Sequence, residues 1–266
     1  MGSGRELRDT FDTAAALYRS ARPEYPERLF DDLIAATELG AATRLLEIGC
    51  GPGIATVPMA RRGYAITAVE LGPALAEVAR DRLAAFPSVE VITAPFEQWD
   101  PGDRRAFDLV YCATAWKWID PAVRYRRAAD LLGAGGHLAV WSAGHAFPPD
   151  FDPFFTEIQR VYLDIGEPDL PWPPPLHQAD STAAEMAESG LFDVTLVRPY
   201  LWSVTYTADT YLALLNTFSN HIAMQTDKRD HLYGEVRRLL ANRADGTLVR
   251  HWGATLTIGR RRSTAG

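Results

Sequence analysis

The run Leu45-Leu46-Glu47-Ile48-Gly49-Cys50-Gly51-Pro52-Gly53 places an acid at the end of an apolar segment, directly before a glycine turn. The apolar positions predict a buried strand. The glycines predict a backbone that approaches a ligand closely. A dinucleotide fingerprint needs G-x-G-x-x-G. Here the third glycine comes one place early, and Ile54 stands where it belongs. Pro52 removes an N–H that would cradle a phosphate. Glu47 beside the turn repels a pyrophosphate and attracts an ammonium or a sulfonium. Residues 64–70 read as a second strand ending in another acid, Glu70. Glu70 follows Gly49 by about 20 residues, the distance at which a βαβ unit presents a carboxylate to a ribose diol.

These residues need a frame. Strands are predicted over 44–48, 65–70, 89–93, 107–112 and 137–142. Between the first two, residues 54–62 fit a helix with Pro58 near its first turn, where proline is tolerated. Further helices are predicted over 74–85 and 121–132, the latter with Asp120 as N-cap and Pro121 at N1. Alternating strands and helices imply an α/β chain with a parallel sheet and right-handed crossovers. Ligands in such sheets bind beyond the carboxyl ends of the strands. The ends of strands one to four would therefore surround one crevice. Upstream, residues 9–39 look helical on both sides of a break at Arg22-Pro23-Glu24-Tyr25-Pro26, since residues before proline avoid the α region.

After Ser142 the texture changes. Residues 146–175 hold many of the chain's 18 prolines, including Pro171-Trp172-Pro173-Pro174-Pro175. A helix through 164 opening at Asp152-Pro153 is expected, within an insertion that covers the ligand end of the sheet. Thr182 and Glu185 have capping-box spacing for a helix closed by Gly190, with Asp180 as a rival cap. Residues 192–206 read as a strand or a bent strand pair. Helices over 209–219 and 228–241 and a strand over 246–260 follow.

The pattern E-x-G-x-G-x-G at 47–53 resembles motif I of the class I S-adenosylmethionine (SAM)-dependent methyltransferases. Tyr18-x-x-x-Arg22-Pro23-x-Tyr25-Pro26 is similar to a segment of small-molecule methyltransferases of the trans-aconitate and ubiquinone-methylase types. The resemblance is close over residues 10–142 and rests on topology beyond them. It implies a Rossmann-like seven-stranded sheet of order 3-2-1-4-5-7-6, with the last strand antiparallel, helices on both faces and a lid insertion. It also implies SAM as cofactor and S-adenosylhomocysteine as product. The corresponding parts are a helical cap (1–40), a SAM-binding core (41–145), a lid (146–190) and the remainder of the same sheet (191–266).

Residue by residue, the resemblance gives Glu47, Gly49, Cys50 and Gly51 to the cofactor's amino-acid end. Glu70, followed by Leu71, would take the ribose hydroxyls. Phe96, followed by Glu97, would cover the adenine, or Phe96 is ordinary core. Pro95 stands where relatives place an acid or amide for the adenine amino group. Ala113 would pass the methionine end. Trp116 or Trp118 would face the sulfonium in a cation–π contact, or both anchor the loop. Lys117 stands between them where many relatives carry a histidine. Arg22 would pair with the cofactor's carboxylate through two parallel bonds, and Tyr18 would close the pocket.

A general base is needed only if the acceptor must lose a proton. His145, His221 and Tyr18 are the candidates, with Lys117 weaker. The histidines show no metal-ligand spacing, and no metal is expected. The 266 residues carry a net charge of −7 and a pI near 5.4, which disfavours nonspecific nucleic-acid binding. Two cysteines, Cys50 and Cys112, give no disulfide framework. Residues 1–5 have no apolar signal region, and no apolar run is long enough to span a membrane. A cytoplasmic monomer or homodimer is expected. The expected reaction moves a methyl group to an oxygen, nitrogen or carboxylate of a small organic molecule. The alternatives are a noncatalytic SAM-binding scaffold, a protein or RNA methyltransferase, and a dinucleotide oxidoreductase supported only by the strand–glycine–acid spacing.

Overall fold

A computed structural model of the chain describes residues 21–40, 42–102, 106–168 and 181–263. Tyr18, Asp180 and the proline run at 171–175 lie outside these residues.

The first half alternates as its sequence demands. Helix α1 (Glu27–Thr37) leads into β1 (Arg44–Ile48), α2 (Thr56–Arg61), β2 (Ala65–Glu70), α3 (Pro73–Leu83) and β3 (Val89–Thr93). Strand β4 (Phe107–Ala113), a 3-10 turn at Trp116–Trp118, α4 (Arg124–Leu131) and β5 (Leu132–Trp141) follow. The later chain gives β6 (Ala143–Ala146), α5 (Phe154–Asp164), α6 (Thr182–Glu188), β7 (Phe192–Thr207), α7 (Ala208–Leu215), α8 (Ser219–Ile222), α9 (Thr226–Ala241) and β8 (Thr247–Arg261).

One mixed sheet joins all strands. β1 is parallel to both β2 and β4, β2 to β3, and β4 to β5. β8 runs antiparallel to β5 on one side and to β7 on the other. Strand β6 also pairs with β8, and Val140 opposite Thr257 continues without a shift to Ala143 opposite Ala254. β6 thus prolongs β5 past Ser142 instead of adding a position to the sheet. The expected order holds, with β8 and β7 as its last two positions.

Burial explains the layering. Leu45, Tyr111 and Trp141 share one face with Phe30 and Leu33 of α1, Met59 of α2 and Leu83 of α3. Leu46, Ile48, Val110 and Val140 share the other face with Ala128 of α4 and Met186 of α6. A third core gathers Phe154 and Ile158 of α5, Leu214 of α7, Val236 of α9, and Leu248 and Trp252 of β8. Such separate clusters arise where the sheet outruns the helices that cover it. β7 and β8, at 16 and 15 residues, exceed the usual strand of about 5–6, and their far halves need this cover.

Several boundaries move for local reasons. Helix α4 starts at Arg124, not at 121, because Asp120 first makes a turn: its carboxylate accepts from Ala122 N at 2.9 Å and its carbonyl from Val123 N at 3.1 Å. Strand β5 starts at Leu132 and crosses a bulge opposite Phe107 and Leu109. Ser181, not Thr182, precedes α6, with its hydroxyl 2.5 Å from Glu185 Oε1. Residues 192–207 form one strand with a register shift between Val194 and Leu196, not a bent pair. Among the described residues no helix is long and apolar enough to cross a membrane.

Candidate functional site

The carboxyl ends of β1, β2 and β4 open into a cavity of about 690 Å³. Its near end is the turn after β1. Gly49 has φ +67°, and a Cβ there would stand 2.5 Å from the Cβ of Ala115. Gly51 has φ +53°, and a Cβ there would meet nothing within 4 Å. Gly49 therefore lets two loops close on each other, while Gly51 leaves its backbone open toward the cavity it lines. Glu70 ends β2 on the same wall. Its Oε2 accepts from Gly51 N at 2.8 Å and its Oε1 from Gly72 N at 2.9 Å. The two loops thus fix the carboxylate's orientation.

Glu47 does not reach that wall. Side chains alternate along a strand, and Glu47 lies opposite Tyr111 on the α1 and α2 face. It is 1% exposed, and Tyr111 donates to its Oε2 at 2.7 Å. Burial pushes its carboxyl up to about 7, against the opposing hydrogen bonds of Thr56 and Tyr111. The expectation of an anion facing the ligand is corrected: Glu47 lies beneath the floor and holds its proton close to neutrality.

Three more expected contacts are off the wall. Cys50 is buried with its thiol 3.6 Å from Gly51 O, and burial pushes that thiol up. Glu97 is half-buried and accepts from Asp120 N at 3.3 Å, away from the cavity lining. Trp116 is buried edge-on to Tyr125, with Arg124 over its ring at 5.5 Å, so it anchors the loop. Arg22, Gly49, Gly51, Glu70, Leu71, Phe96, Ala113 and Trp118 do line the cavity. Phe96 is also core: it is 4% exposed and packs in the second cluster.

Strand β4 ends in a strained residue. Thr114 has φ +65°, a region that a β-branched side chain rarely enters. Three bonds hold it there. Its N–H donates to Trp141 O at 2.7 Å, its hydroxyl lies 2.7 Å from the Tyr25 hydroxyl, and Ala143 N donates to the same hydroxyl at 3.1 Å. Such strain costs about 1–3 kcal/mol and clusters at functional sites. Lys117 follows on the wall, half-buried, 5.0 Å from the Trp118 ring centre. Burial lowers its pKa, and the like charge of Arg22 adds to the effect.

The far end is assembled from the late chain. Phe218, Ser219 and Asn220 line it, with Ala143 and Gly144. Arg22 donates through Nε to Thr217 Oγ1 at 2.8 Å and through NH2 to Thr217 O at 3.1 Å, and its guanidinium lies 4.2 Å from the Phe218 ring centre. Neither histidine candidate lines the cavity. His145 packs 3.9 Å from the ring centre of Phe147 and 4.4 Å from that of Phe155, and burial pushes its pKa down to about 2. His221 is 3% exposed with its Nε2 3.3 Å from Tyr162 OH, and burial lowers it to about 4. Both are imidazoles kept neutral inside the fold. Among the described residues no group of His, Cys, Asp and Glu could hold a metal ion.

Sequence reasoning missed Thr114, Phe218, Ser219 and Asn220. Residues 216–222 carry no motif, and only the packing of α7 and α8 brings them to the strand ends.

Residues 46–140 match the family described as "Methyltransferase domain". An uncharacterized methyltransferase of Mycobacterium tuberculosis is 35% identical over 141 residues, 53% of this chain and 55% of that protein. The trans-aconitate 2-methyltransferase of Paracidovorax citrulli is 34% identical over 132 residues, 48% of this chain and 49% of its own. The chain thus spans about half the length of these relatives. A solved structure from Anaeromyxobacter dehalogenans, provisionally assigned as a type II methyltransferase, superposes with a TM-score of 0.62 at 21% identity, over 90% of this chain and 97% of that one. The pattern that opens β1, the sheet order and the wall formed by Gly51 and Glu70 agree with these likenesses, and residues 46–140 are a methyltransferase domain of the class I fold.

Proposed function

We propose that this chain is a SAM-dependent methyltransferase acting on a small organic molecule. One observation carries the reading: within the methyltransferase domain, Gly51 and Glu70 stand on one cavity wall with the carboxylate held by loop amides. SAM fits this donor set, because a carboxylate accepts from a ribose diol and the bare backbone at Gly51 admits a close neighbour.

In this reading Glu70 and Leu71 hold the ribose, Phe96 covers the adenine, and Gly49, Gly51 and Ala113 pass the amino-acid end. Arg22, expected beside the carboxylate of that end, is held at the far end by Thr217 and is left to the acceptor side. When bound, SAM supplies a methyl group whose bond to sulfur breaks, the electron pair staying on sulfur, as a lone pair of the acceptor forms the new bond to carbon. The protein's part is chiefly to align the acceptor in line and to exclude water. Thr114, pinned by three bonds, fixes the wall where the two reactants would meet. Lys117 replaces the histidines as candidate base, since a lysine of lowered pKa is suited to take a proton from an acceptor hydroxyl or ammonium. A carboxylate acceptor needs no base.

The cavity supports a small acceptor: at about 690 Å³ it falls within the roughly 300–1,000 Å³ of small-molecule sites. The net charge of −7 gives an RNA backbone little attraction. The noncatalytic alternative rests on the two histidines lying off the wall. Calorimetry with SAM tests the first reading, and no heat of binding at high micromolar concentration would sink it. Methylated product from any member of a metabolite panel would remove the noncatalytic one.

A further inference from the structure

Behind the far wall lies a charge with no counter-charge among the described residues. Arg250 of β8 is 6% exposed. Its guanidinium lies 5.3 Å from the Phe218 ring centre and 4.4 Å from that of Trp252. Its Nε is buried without a hydrogen-bond partner, and among the described residues it forms no ion pair. The titratable groups acting on it are the Tyr211 and Tyr206 phenols, of which Tyr211 is also a hydrogen-bonding neighbour, and a second cation, Arg22. It acts in turn on His145, His221 and Tyr162. Arg22 lies over the same Phe218 ring, so one aromatic side chain contacts two guanidiniums.

This arrangement is costly as it stands. Burying a cation without an anionic partner sacrifices its hydration, and a phenol and aromatic faces return only part of that loss. Buried polar groups left unsatisfied call for an explanation, an absent ligand among them. The charge here faces a ring that lines the cavity, beside a second cation on the wall itself.

We infer that Arg250, with Arg22, forms an anion subsite that binds a carboxylate of the methyl acceptor. The inference rests on the methyltransferase reading for the word acceptor, and on the buried guanidinium for the charge. A planar fork of donors matches a carboxylate with two parallel bonds. Occupation requires the Phe218 side chain to turn away from the two guanidiniums it contacts, so that the acid replaces the ring as their partner. The acceptor's other end then extends past Ser219 and Asn220 toward Lys117 and Thr114. This anchoring carboxylate is distinct from the cofactor's own, which a ligand of this class brings to the Gly49 end.

The test is thermal unfolding of the full chain, saturated with S-adenosylhomocysteine, against benzoate, succinate and citrate, each beside its neutral amide. The proposal expects at least one acid to raise the melting temperature by about 3 °C or more at saturation while its amide does not. Arg250→Met is expected to melt no lower than the native chain without acid, and to need at least about tenfold more acid for the same shift. Arg250→Lys keeps the charge but not the fork, and is expected to fall between them. Acids that act no better than their amides, or that stabilise Arg250→Met equally, overturn the proposal. If Arg250→Met does not fold, the lysine variant and the acid–amide contrast on the native chain decide. Calorimetric binding of S-adenosylhomocysteine is measured in parallel. Its absence from the native chain breaks the methyltransferase reading, whereas its presence without an acid effect breaks only the anion subsite.

Discussion

The two ends of the cavity are built in opposite ways. At the near end, Gly49, Gly51, Glu70 and Gly72 come from one short βαβ unit, and the bonds that hold Glu70 span 19 and 2 residues. At the far end, Arg22 reaches Thr217 across 195 residues, and Arg250 meets Phe218 from another strand. The near end is backbone and turn chemistry. The far end is side chains on a third core. A site of this kind can keep one half constant in geometry while the other half changes with every substitution in its supporting helices.

The sharpest test of this division is to disable the near end alone. Glu70→Ala removes the acceptor of the Gly51 and Gly72 amides. Hydrogen bonds to a charged group contribute about 1.5–3 kcal/mol each. We expect SAM affinity to fall at least about a hundredfold by calorimetry, with the far core intact. Near-native affinity in this variant would break the comparison.

Glu47 gives a second test beneath the same turn. Its folded pKa of about 7 lies above the ordinary carboxyl value of 4.5. The fold therefore favours the protonated form, and the stability this gives is complete below pH 4.5 and lost as pH rises through 7. Glu47→Gln does not titrate there. Urea unfolding should move in favour of the variant by up to about 3 kcal/mol between pH 4.5 and 8. A constant difference across that range would show that Glu47 is ionised throughout. Bound cations nearby would favour the carboxylate, so SAM binding should release protons near neutrality.

The far end is probed without touching the cavity. Asp152 accepts from Phe154 N at 2.9 Å and Val249 N at 2.8 Å, and pairs with Arg243 at 2.8 Å. Burial would raise its pKa, but Arg243 and these amides outweigh burial and hold it below the usual range. Asp152→Asn should lower stability by about 2 kcal/mol at neutral pH, and this loss should shrink as pH falls through the folded pKa. SAM affinity should stay within about threefold. A large loss of cofactor binding would show that the two ends are coupled.

The same division decides how much the sequence discloses. The strands 44–48, 65–70 and 89–93 have the predicted bounds, because each is a short apolar run closed by glycine, proline or an acid. The sheet order follows from the same alternation. The direction of the Glu47 side chain is set by the period of the strand and not by its charge: Glu47 shares a face with Leu45, two residues before it, and with Tyr111 opposite it. The histidines are missed for a different reason: His145 and His221 look like bases by type, and only the aromatic rings around them show that they stay neutral. Thr114 has no local signal, since its strain is imposed by Tyr25, Trp141 and Ala143, which arrive from two other segments. Arg250 reads in the sequence as one more charge on an edge-strand pattern, and its isolation exists only in three dimensions.

β7 and β8 pair over their whole length, from Phe192 opposite Arg261 to Thr207 opposite Thr247. On its other side β8 is held by β5 and β6 from His251 to Arg260, so only residues 247–250 and their β7 partners overhang that support. The third core covers this short overhang, with Leu248 inside it and Arg250 at its root. Substitutions in α5, α7 and α9 therefore reach the far end of the cavity through a brief stretch of ribbon, by a route that bypasses the turn after β1.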